Sequence, residues 1–152
     1  MPTSTRFAVA THILATIALA RGEVVRSEAI ARSVNTNAAF VRRLLGSLAE
    51  AGLTTSQMGQ GGGALLAKPA ENITLFDVYR AVEEPSFFTL HHGGPSQLCP
   101  IGKNITPVLE EEFAGATAAI KRALSKTTVA DVARRVEARA GGAAIRRVLG
   151  GS

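Results

Sequence analysis

The sequence predicts a mainly α-helical fold with one small β-hairpin, arranged as a winged helix-turn-helix plus one long helix. Three observations predict it. Two helical segments, residues 28–33 and 37–51, are separated by a short turn. Two runs rich in strand-favouring residues, 53–56 and 64–67, then flank a stretch of glycines. Beyond residue 100, apolar residues recur every three or four positions as far as residue 124.

Length, charge and cysteine content limit what the chain can be. Its 152 residues suffice for one compact domain with an appended element. Lys and Arg total 17 against 12 acidic residues, a net charge of +5, and the apolar fraction of 46% excludes a chain that is disordered throughout. A folded basic protein usually meets an anion. The single cysteine excludes an intramolecular disulfide and suits a reducing cytosol, so we expect a cytoplasmic protein.

The first helix has the outline of a secretory signal. However, a single arginine, Arg6, precedes the apolar stretch, which is interrupted by polar residues and is too short to span a bilayer. Its apolar residues follow helical spacing, at Phe7, Ala10, Leu14 and Ile17. We therefore expect a core-facing helix that stops near residue 22, and no membrane partner.

The next two helices form the predicted helix-turn-helix. Ser27 is a good N-cap for the first, with Glu28 in its first turn, and Asn37 is a good N-cap for the second, which ends at Gly52. At about 3.6 residues per turn, the second helix separates two faces. The apolar face carries Phe40, Val41, Leu44, Leu45 and Leu48, and the opposite face carries Ala39, Arg42, Arg43, Gly46 and Glu50.

The arginine pair on the second of these faces supports the main functional hypothesis. Arg42 and Arg43 stand among small residues near the start of a helix, which leaves room for a duplex to approach. Arginine pairs with guanine edges and with phosphates. The competing interpretation is a solvated helix face that happens to be basic, and the pattern alone does not separate the two.

The glycine stretch lies between the predicted strands. Gly59 to Ala64 matches the G-x-G-x-x-A fingerprint of a dinucleotide site. That fingerprint needs a helix opening directly after the glycines, whereas here a four-residue run ends at Lys68 and Pro69. The wing of a winged helix is therefore the favoured interpretation. A small nucleotide-binding enzyme that uses residues 59–63 is the alternative.

The second half of the chain predicts further helices. Thr74 is the expected cap of one, with Asp77 closing a capping box. The long stripe consists of Ile101, Ile105, Val108, Leu109, Phe113, Ala116, Ile120 and Leu124. Pro107 either kinks this helix or starts a new one capped by Thr106.

So long a stripe needs a partner, and a two-fold copy of the same helix is the simplest one. Packing within the chain is the alternative, but we expect the preceding portion to close its own core. The predicted organisation is a winged helix-turn-helix DNA-binding domain (1–84), a loop (85–99), a dimerisation helix with a C-terminal helix (100–140) and a flexible tail (141–152). The C-terminal helix is expected from Thr128 to Arg139.

Five stretches of the chain together resemble the Rrf-two (Rrf2) family of bacterial transcription regulators. They are SEAIA from Ser27, AFVRRLLGSLAEAG from Ala39, GQGGGALLAKP from Gly59, ITLFDVYRAVE from Ile73 and TVADVA from Thr128. The resemblance covers most of the chain. Its most specific part is the glycine-rich wing followed by the segment from Ile73.

The resemblance implies a homodimer that binds double-stranded DNA at a palindromic operator, with recognition helices in major grooves and wings in flanking minor grooves. We expect a repressor and no enzyme. The candidate DNA-binding residues are Ser27, Asn35, Thr36, Asn37, Ala39, Arg42, Arg43, Gln57, Met58, Gln60, Gly61 and Gly62. Met58 departs from the family, because members often carry a basic residue just before the wing glycine. A protein-interaction adaptor that lost DNA contact is therefore a further alternative.

The resemblance also raises the question of what the protein senses. Iron-sulfur members present three closely spaced cysteines before the long helix, whereas this chain has only Cys99, so we expect no cluster and no other cofactor. The nearby pair His91 and His92 is more typical of a surface loop than of a metal site. Cys99 at a helix start is a candidate redox sensor, since a positive helix terminus favours thiolate. An inert cysteine and a small-molecule effector are the alternatives.

Overall fold

The mainly α-helical fold with a small β-hairpin is confirmed by a computed structural model, which describes residues 4–84 and 86–150. The described elements are α1 (Arg6–Leu19), α2 (Ser27–Val34), α3 (Ala38–Glu50), β1 (Thr54–Gln57), β2 (Gly63–Leu66), α4 (Leu75–Val82), α5 (Pro100–Ser125), α6 (Val129–Ala140) and α7 (Gly142–Leu149). One turn of 3-10 helix, Ala70–Asn72, lies between β2 and α4. None of the described helices combines the length and hydropathy that a bilayer span requires.

Helix α1 lies at the centre of the hydrophobic core. Its predicted apolar face is confirmed, since Ala10, Leu14 and Ile17 are buried and Phe7 packs against the same cluster. The helix contacts α2, α3, α4 and α6. Because one helix touches four others, the relative positions of the helix-turn-helix and of α6 are both set by α1.

The helix-turn-helix forms as predicted, with one change at its start. Asn37 caps α3, and its side-chain oxygen accepts the N–H of Phe40 at 2.8 Å. The prediction that Ser27 caps α2 is wrong, because Arg26 occupies the cap position and Ser27 is the first helical residue. The turn between the helices is made by Asn35 in the left-handed conformation, with φ 62° and ψ 52°, which Asn tolerates better than most residues.

The hairpin pairs β1 with β2 in antiparallel register, from Thr54 opposite Leu66 to Gln57 opposite Gly63. Both strands begin and end within one residue of the predicted runs. Val25, between α1 and α2, bridges to the outer edge of β2: the Val25 N–H donates to the Ala64 carbonyl at 3.1 Å, and the Val25 carbonyl accepts the Ala64 N–H at 2.8 Å. The wing is thereby fixed to the segment that leads into α2.

Helices α4 and α6 start side by side. Thr74 and Thr128 each complete a capping box, with Asp77 and Asp131 respectively, and the two threonines form an isolated antiparallel bridge. Val129 then enters the core that α1 organises and is fully buried. The expectation that the first 84 residues close their own core is therefore wrong, since α6 returns to complete it.

Two consecutive phenylalanines attach the loop before α5 to α4 and to α5. Phe87 stacks on Tyr79 of α4 with ring centroids 4.6 Å apart, and Tyr79 meets Phe7 of α1 edge-on at 5.6 Å. Phe88 stacks on Phe113 of α5 at 4.9 Å. The loop therefore links the long helix to the helices that carry the winged domain.

Two expectations for the C-terminal half are corrected. Helix α5 continues through Pro107 from Pro100 to Ser125, so the alternative of a new helix starting at Pro107 is wrong. Residues 142–149, predicted as part of a flexible tail, form α7, and Leu149 packs against the core cluster. The last two residues of that predicted tail lie outside the described residues, as do Met1 to Thr3 and Pro85.

Candidate nucleic-acid interface

The exposed face of α3 is the centre of the candidate interface. Val41, Leu44 and Leu48 are buried in the core, which fixes the rotation of the helix. The opposite side then faces solvent, and the five residues predicted for it are all exposed: Ala39, Arg42, Arg43, Gly46 and Glu50. Because Ala39 carries only a methyl group and Gly46 has no side chain, the two arginines are the longest side chains on this face.

Each arginine of this face has a partner within the chain. Arg42 Nη1 lies 3.2 Å from Glu28 Oε1 on α2, and both side chains are more than half exposed. The guanidinium of Arg43 lies 5.7 Å from the ring centroid of Phe40, in cation-π contact. The two helices of the helix-turn-helix are thus joined by an ion pair on their exposed side.

The predicted site residues in the turn have structural roles as well. The side chain of Asn37 is occupied by its cap hydrogen bond, and Asn35 holds the left-handed turn. The N–H of Thr36 donates to the Ala31 carbonyl at 2.9 Å, which closes the end of α2. Ser27 is the first residue of α2, and the N-cap residue before it, Arg26, makes no side-chain cap hydrogen bond.

The wing loop, residues 58–62, is shaped by its glycines. Gly59 and Gly61 have φ of 93° and 79°, which favours glycine. A Cβ on Gly62 would overlap the carbonyl of Gln57, and one on Gly63 would lie 2.6 Å from the carbonyl of Val25. These glycines are therefore explained by the turn and by close backbone packing.

A strand and not a helix follows the glycines, which removes the basis of the nucleotide-binding alternative. The side chains that remain for outside contact are Gln57, Met58 and Gln60, all exposed, and Met58 is 87% exposed.

The wing loop and the start of α2 enclose an open cleft of about 300 Å³. It is lined by Arg26, Ser27, Glu28 and the glycine loop from Gly59 to Gly63. Arg26 and Glu28 are not among the candidate DNA-binding residues predicted from the sequence. Position relative to the wing is a tertiary property, and the only local signal was their place at the start of a helix.

The candidate interface is only weakly basic. Between residues 23 and 63 the chain carries four arginines, at 26, 32, 42 and 43, against three glutamates, at 23, 28 and 50. The net charge of this segment is therefore +1. Most of the net charge of +5 lies elsewhere. Adding or removing one acidic residue would therefore change the net charge of this segment by a large fraction.

Cys99 is the N-cap residue of α5 and is an exposed free cysteine, with Pro100 in the first turn. The Cys99 side chain forms no cap hydrogen bond, but the backbone N–H groups of Gly102 and then Ile101 face the thiol and hold the pKa of Cys99 below its ordinary value. Both His91 and His92 are exposed in the same loop. Residues 4–84 and 86–150 contain no cluster of three or more His, Cys, Asp or Glu side chains arranged to hold a metal.

Most of the chain matches a known protein family. Residues 3–135 match the model of the Rrf2 family, described as iron-dependent transcriptional regulators. YwnA of Bacillus subtilis (strain 168), an HTH-type transcriptional regulator by name, is 40% identical over 129 residues, which are 85% of this chain and 95% of YwnA.

Two solved structures are also similar. A crystal structure of a protein described as DNA-binding is 39% identical, with a TM-score of 0.69 over 84% of this chain and 97% of that one. CymR (YrzC), the global cysteine regulator of B. subtilis, has a TM-score of 0.69 at 24% identity, over 89% of this chain and 98% of its own, and supports the fold alone.

Proposed function

This chain belongs to the Rrf2 family of transcriptional regulators, a DNA-binding family, and we propose that it acts as a homodimeric repressor on a palindromic operator. The observation that carries the proposal is the exposed face of α3, where Arg42 and Arg43 stand beside Ala39 and Gly46. A helix with small residues around exposed arginines can lie deep in a major groove. The exposure of Arg42 and Arg43 supports contacts with guanine edges, which read the sequence, or with phosphates, which position the helix.

The remaining contacts in this proposal position the protein on the duplex. The predicted set Ser27, Asn35, Thr36 and Asn37 lies at the start of α2 and in the turn, where hydroxyl, amide and backbone groups suit phosphates. The wing, with Gln57, Met58, Gln60, Gly61 and Gly62, enters the flanking minor groove. Because Met58 carries no charge, backbone groups and the two glutamines make the polar contacts there, and Met58 supplies an apolar one.

The long helix supports the homodimer. In the described structure α5 has no buried residue, although Ile101 and Val108 on its stripe are large and apolar, with 75% and 55% of their surface exposed. Exposed apolar side chains on this helix of 26 residues are costly in water, and a two-fold copy would cover them. A dimer would present two α3 helices, which is why the operator is expected to be palindromic.

We also propose a cytoplasmic location and a response to an oxidant or a small molecule. A single thiolate does not fit an iron-sulfur cluster, which is held by several cysteines, so we propose a member without that cofactor. Cys99 is exposed and its pKa is lowered by the Gly102 and Ile101 N–H groups, the environment that makes a thiol responsive to peroxide. The effector acts at the loop and long helix in this proposal.

The test is selection of bound fragments from the protein's own genome, with and without peroxide, followed by titration of the selected duplex at several salt concentrations. We expect a palindromic consensus and affinity that falls steeply with salt. Arg42→Ala should weaken operator binding by roughly 1–3 kcal/mol and relax the preference at one base position. Arg139→Ala, which removes the same charge from an exposed site on α6, is the control.

Three results would count against parts of this proposal. Affinity independent of salt, or no selected fragment, would favour the protein-interaction adaptor. Equal losses in Arg42→Ala and Arg139→Ala would remove Arg42 from the interface. Identical fragment selection with and without peroxide would remove the oxidant response, and leave the DNA-binding proposal intact.

A further inference from the structure

We propose that Glu28 is a specificity-determining residue that acts through Arg42. It restrains Arg42 from neutralising phosphates on arbitrary DNA and leaves it able to read a base on the operator. This inference rests on the proposed function, because it assumes that α3 enters the major groove. It adds a residue that lies outside the recognition helix and has the sign of charge opposite to that of DNA-binding residues.

The geometry places Glu28 in contact with two parts of the interface. Its carboxylate oxygen Oε1 lies 3.2 Å from Nη1 of Arg42 on α3. The same residue lines the cleft between the start of α2 and the wing loop. Glu28 therefore sits between the recognition helix and the wing, where the backbone of a bound duplex would pass in the proposed complex.

Folding stability does not account for this ion pair. The side chains of Arg42 and Glu28 are 56% and 59% exposed, and exposed pairs of this kind contribute little to stability. A carboxylate in the first turn of α2 favours the helix dipole whether or not Arg42 is present. The pair thus places a negative charge on a face whose charge is already low, at the cost of affinity for a polyanion.

The N–H donors of the Arg42 guanidinium explain how the ion pair with Glu28 increases specificity. A guanidinium has enough N–H groups to form a bidentate contact with guanine and still donate to a carboxylate. Reading a base is therefore compatible with the contact to Glu28. Neutralising a phosphate is not compatible with that contact. If Arg42 stays paired with Glu28, the pair offers little net positive charge to the phosphate. If Arg42 leaves, the unpaired Glu28 carboxylate lies beside phosphates, which it repels. Glu28 consequently penalises the nonspecific complex more than the specific one.

The test compares two duplexes in a fluorescence anisotropy titration of the full chain: the selected operator, and a scrambled duplex of the same composition. For Glu28→Gln, we expect scrambled DNA to bind about three- to tenfold more tightly and operator affinity to change by less than about twofold. The salt slope on scrambled DNA should steepen by about 0.9 for each protomer, since Arg42 becomes free to neutralise a phosphate.

Two further variants isolate the mechanism. Glu71→Gln removes the same charge from an exposed position in the 3-10 turn, outside the candidate interface, where Glu71 forms no ion pair among the described residues, and should leave the specificity ratio unchanged. In an Arg42→Gln background, Glu28→Gln should no longer alter binding to scrambled DNA, because the residue through which it acts is gone. Thermal melting of each variant checks that the fold is retained.

Several results would overturn the inference. Equal tightening on both duplexes by Glu28→Gln and by Glu71→Gln would mean a general charge effect. A loss of affinity for both duplexes in Glu28→Gln would mean that the carboxylate only supports the fold. Persistence of the Glu28→Gln effect without Arg42 would mean that it acts elsewhere. Failure of the unaltered chain to select any fragment would instead overturn the proposed function, and this inference with it.

Discussion

Gly63 shows why this wing needs glycine for reasons other than ligand binding. It lies at the start of β2, where the backbone of Val25 runs alongside, and an added Cβ would lie 2.6 Å from the Val25 carbonyl oxygen. The neighbouring atom is backbone and is held by the bridge between Val25 and Ala64. The site therefore has no flexible side chain that could yield.

Gly63→Ala should consequently destabilise the protein, by about 1–3 kcal/mol in the free energy of unfolding. Gly46→Ala is the matched control. Gly46 is in the interior of α3, with no heavy atom within 4 Å of the added Cβ. This substitution should therefore stabilise the protein, by about 0.5–1 kcal/mol in the free energy of unfolding. Urea denaturation followed by circular dichroism measures both. Equal effects of the two substitutions would contradict the close approach at Gly63.

Cys99 provides a second prediction, on the pH dependence of its reactivity. Because the N–H groups of Gly102 and Ile101 lower the pKa of the thiol, the thiolate should form at a lower pH in the folded chain than in the unfolded chain. The alkylation rate with iodoacetamide should therefore rise at lower pH in buffer than in concentrated urea. A midpoint in buffer that equals or exceeds the one in urea would identify Cys99 as an ordinary thiol.

Single residues were predicted from sequence where their role is local. The Asn37 cap and the Thr74–Asp77 capping box depend on residues three apart, and both are present. The predicted N-cap of α2, Ser27, is one residue too far along the chain. The N-cap is Arg26, which has the extended backbone of a cap residue but no capping side chain. The contact between Glu28 and Arg42 spans two helices, and nothing in either helix alone indicates it.

Helix α3 depends on its cap for more than stability. The Asn37 oxygen that accepts the Phe40 N–H fixes the first turn, and Arg42 and Arg43 are on the turn that follows. Loss of the cap should fray the end of the helix that presents the arginines. Asn37→Ala is therefore expected to cost about 0.5–2 kcal/mol in the free energy of unfolding and to weaken operator binding.

Asn72→Ala is the control for this prediction. Asn72 is exposed in the 3-10 turn, and no side-chain hydrogen bond involves it among the described residues. Its replacement should change stability by less than about 0.5 kcal/mol. Thermal unfolding and operator titration of the two variants are compared side by side. An Asn37→Ala variant that behaves like Asn72→Ala would show that α3 holds its first turn without the cap.

The helices themselves were largely predictable because apolar periodicity is strong in α1, α3 and α5. Helix α7 was not, since its flanking glycines are typical of a tail. Ile145 and Leu149 are spaced to form only a narrow apolar edge. Leu149 packs against the core because α6 places α7 beside it. Likewise, the entry of Val129 into the core depends on the return of the chain after α5, which no local pattern encodes.

The long helix raises the question of what covers its apolar stripe in the complete assembly. At about 1.5 Å per residue, α5 is about 39 Å long, and among the described elements it contacts α4. Phe113 is covered in part by Phe88. Ile101 and Val108, one heptad apart, are more than half exposed. These two residues are therefore the part of the stripe that a second copy would cover.

Val108→Asp should accordingly convert a dimer to a monomer, because a carboxylate at the centre of an apolar interface would be buried without a partner. Ala114→Asp introduces the same charge on an exposed position on the opposite side of α5 and should leave the dimer intact. Sedimentation equilibrium measures the oligomeric state.

In the same samples, a monomeric variant should bind a single half-site about as well as the unaltered chain. It should lose most of its affinity for the full palindrome, since linking two DNA-binding domains raises their effective concentration. If Val108→Asp remains dimeric, or if both variants dissociate equally, the exposed stripe of α5 is not the interface, and the palindromic operator would need another source of two-fold symmetry.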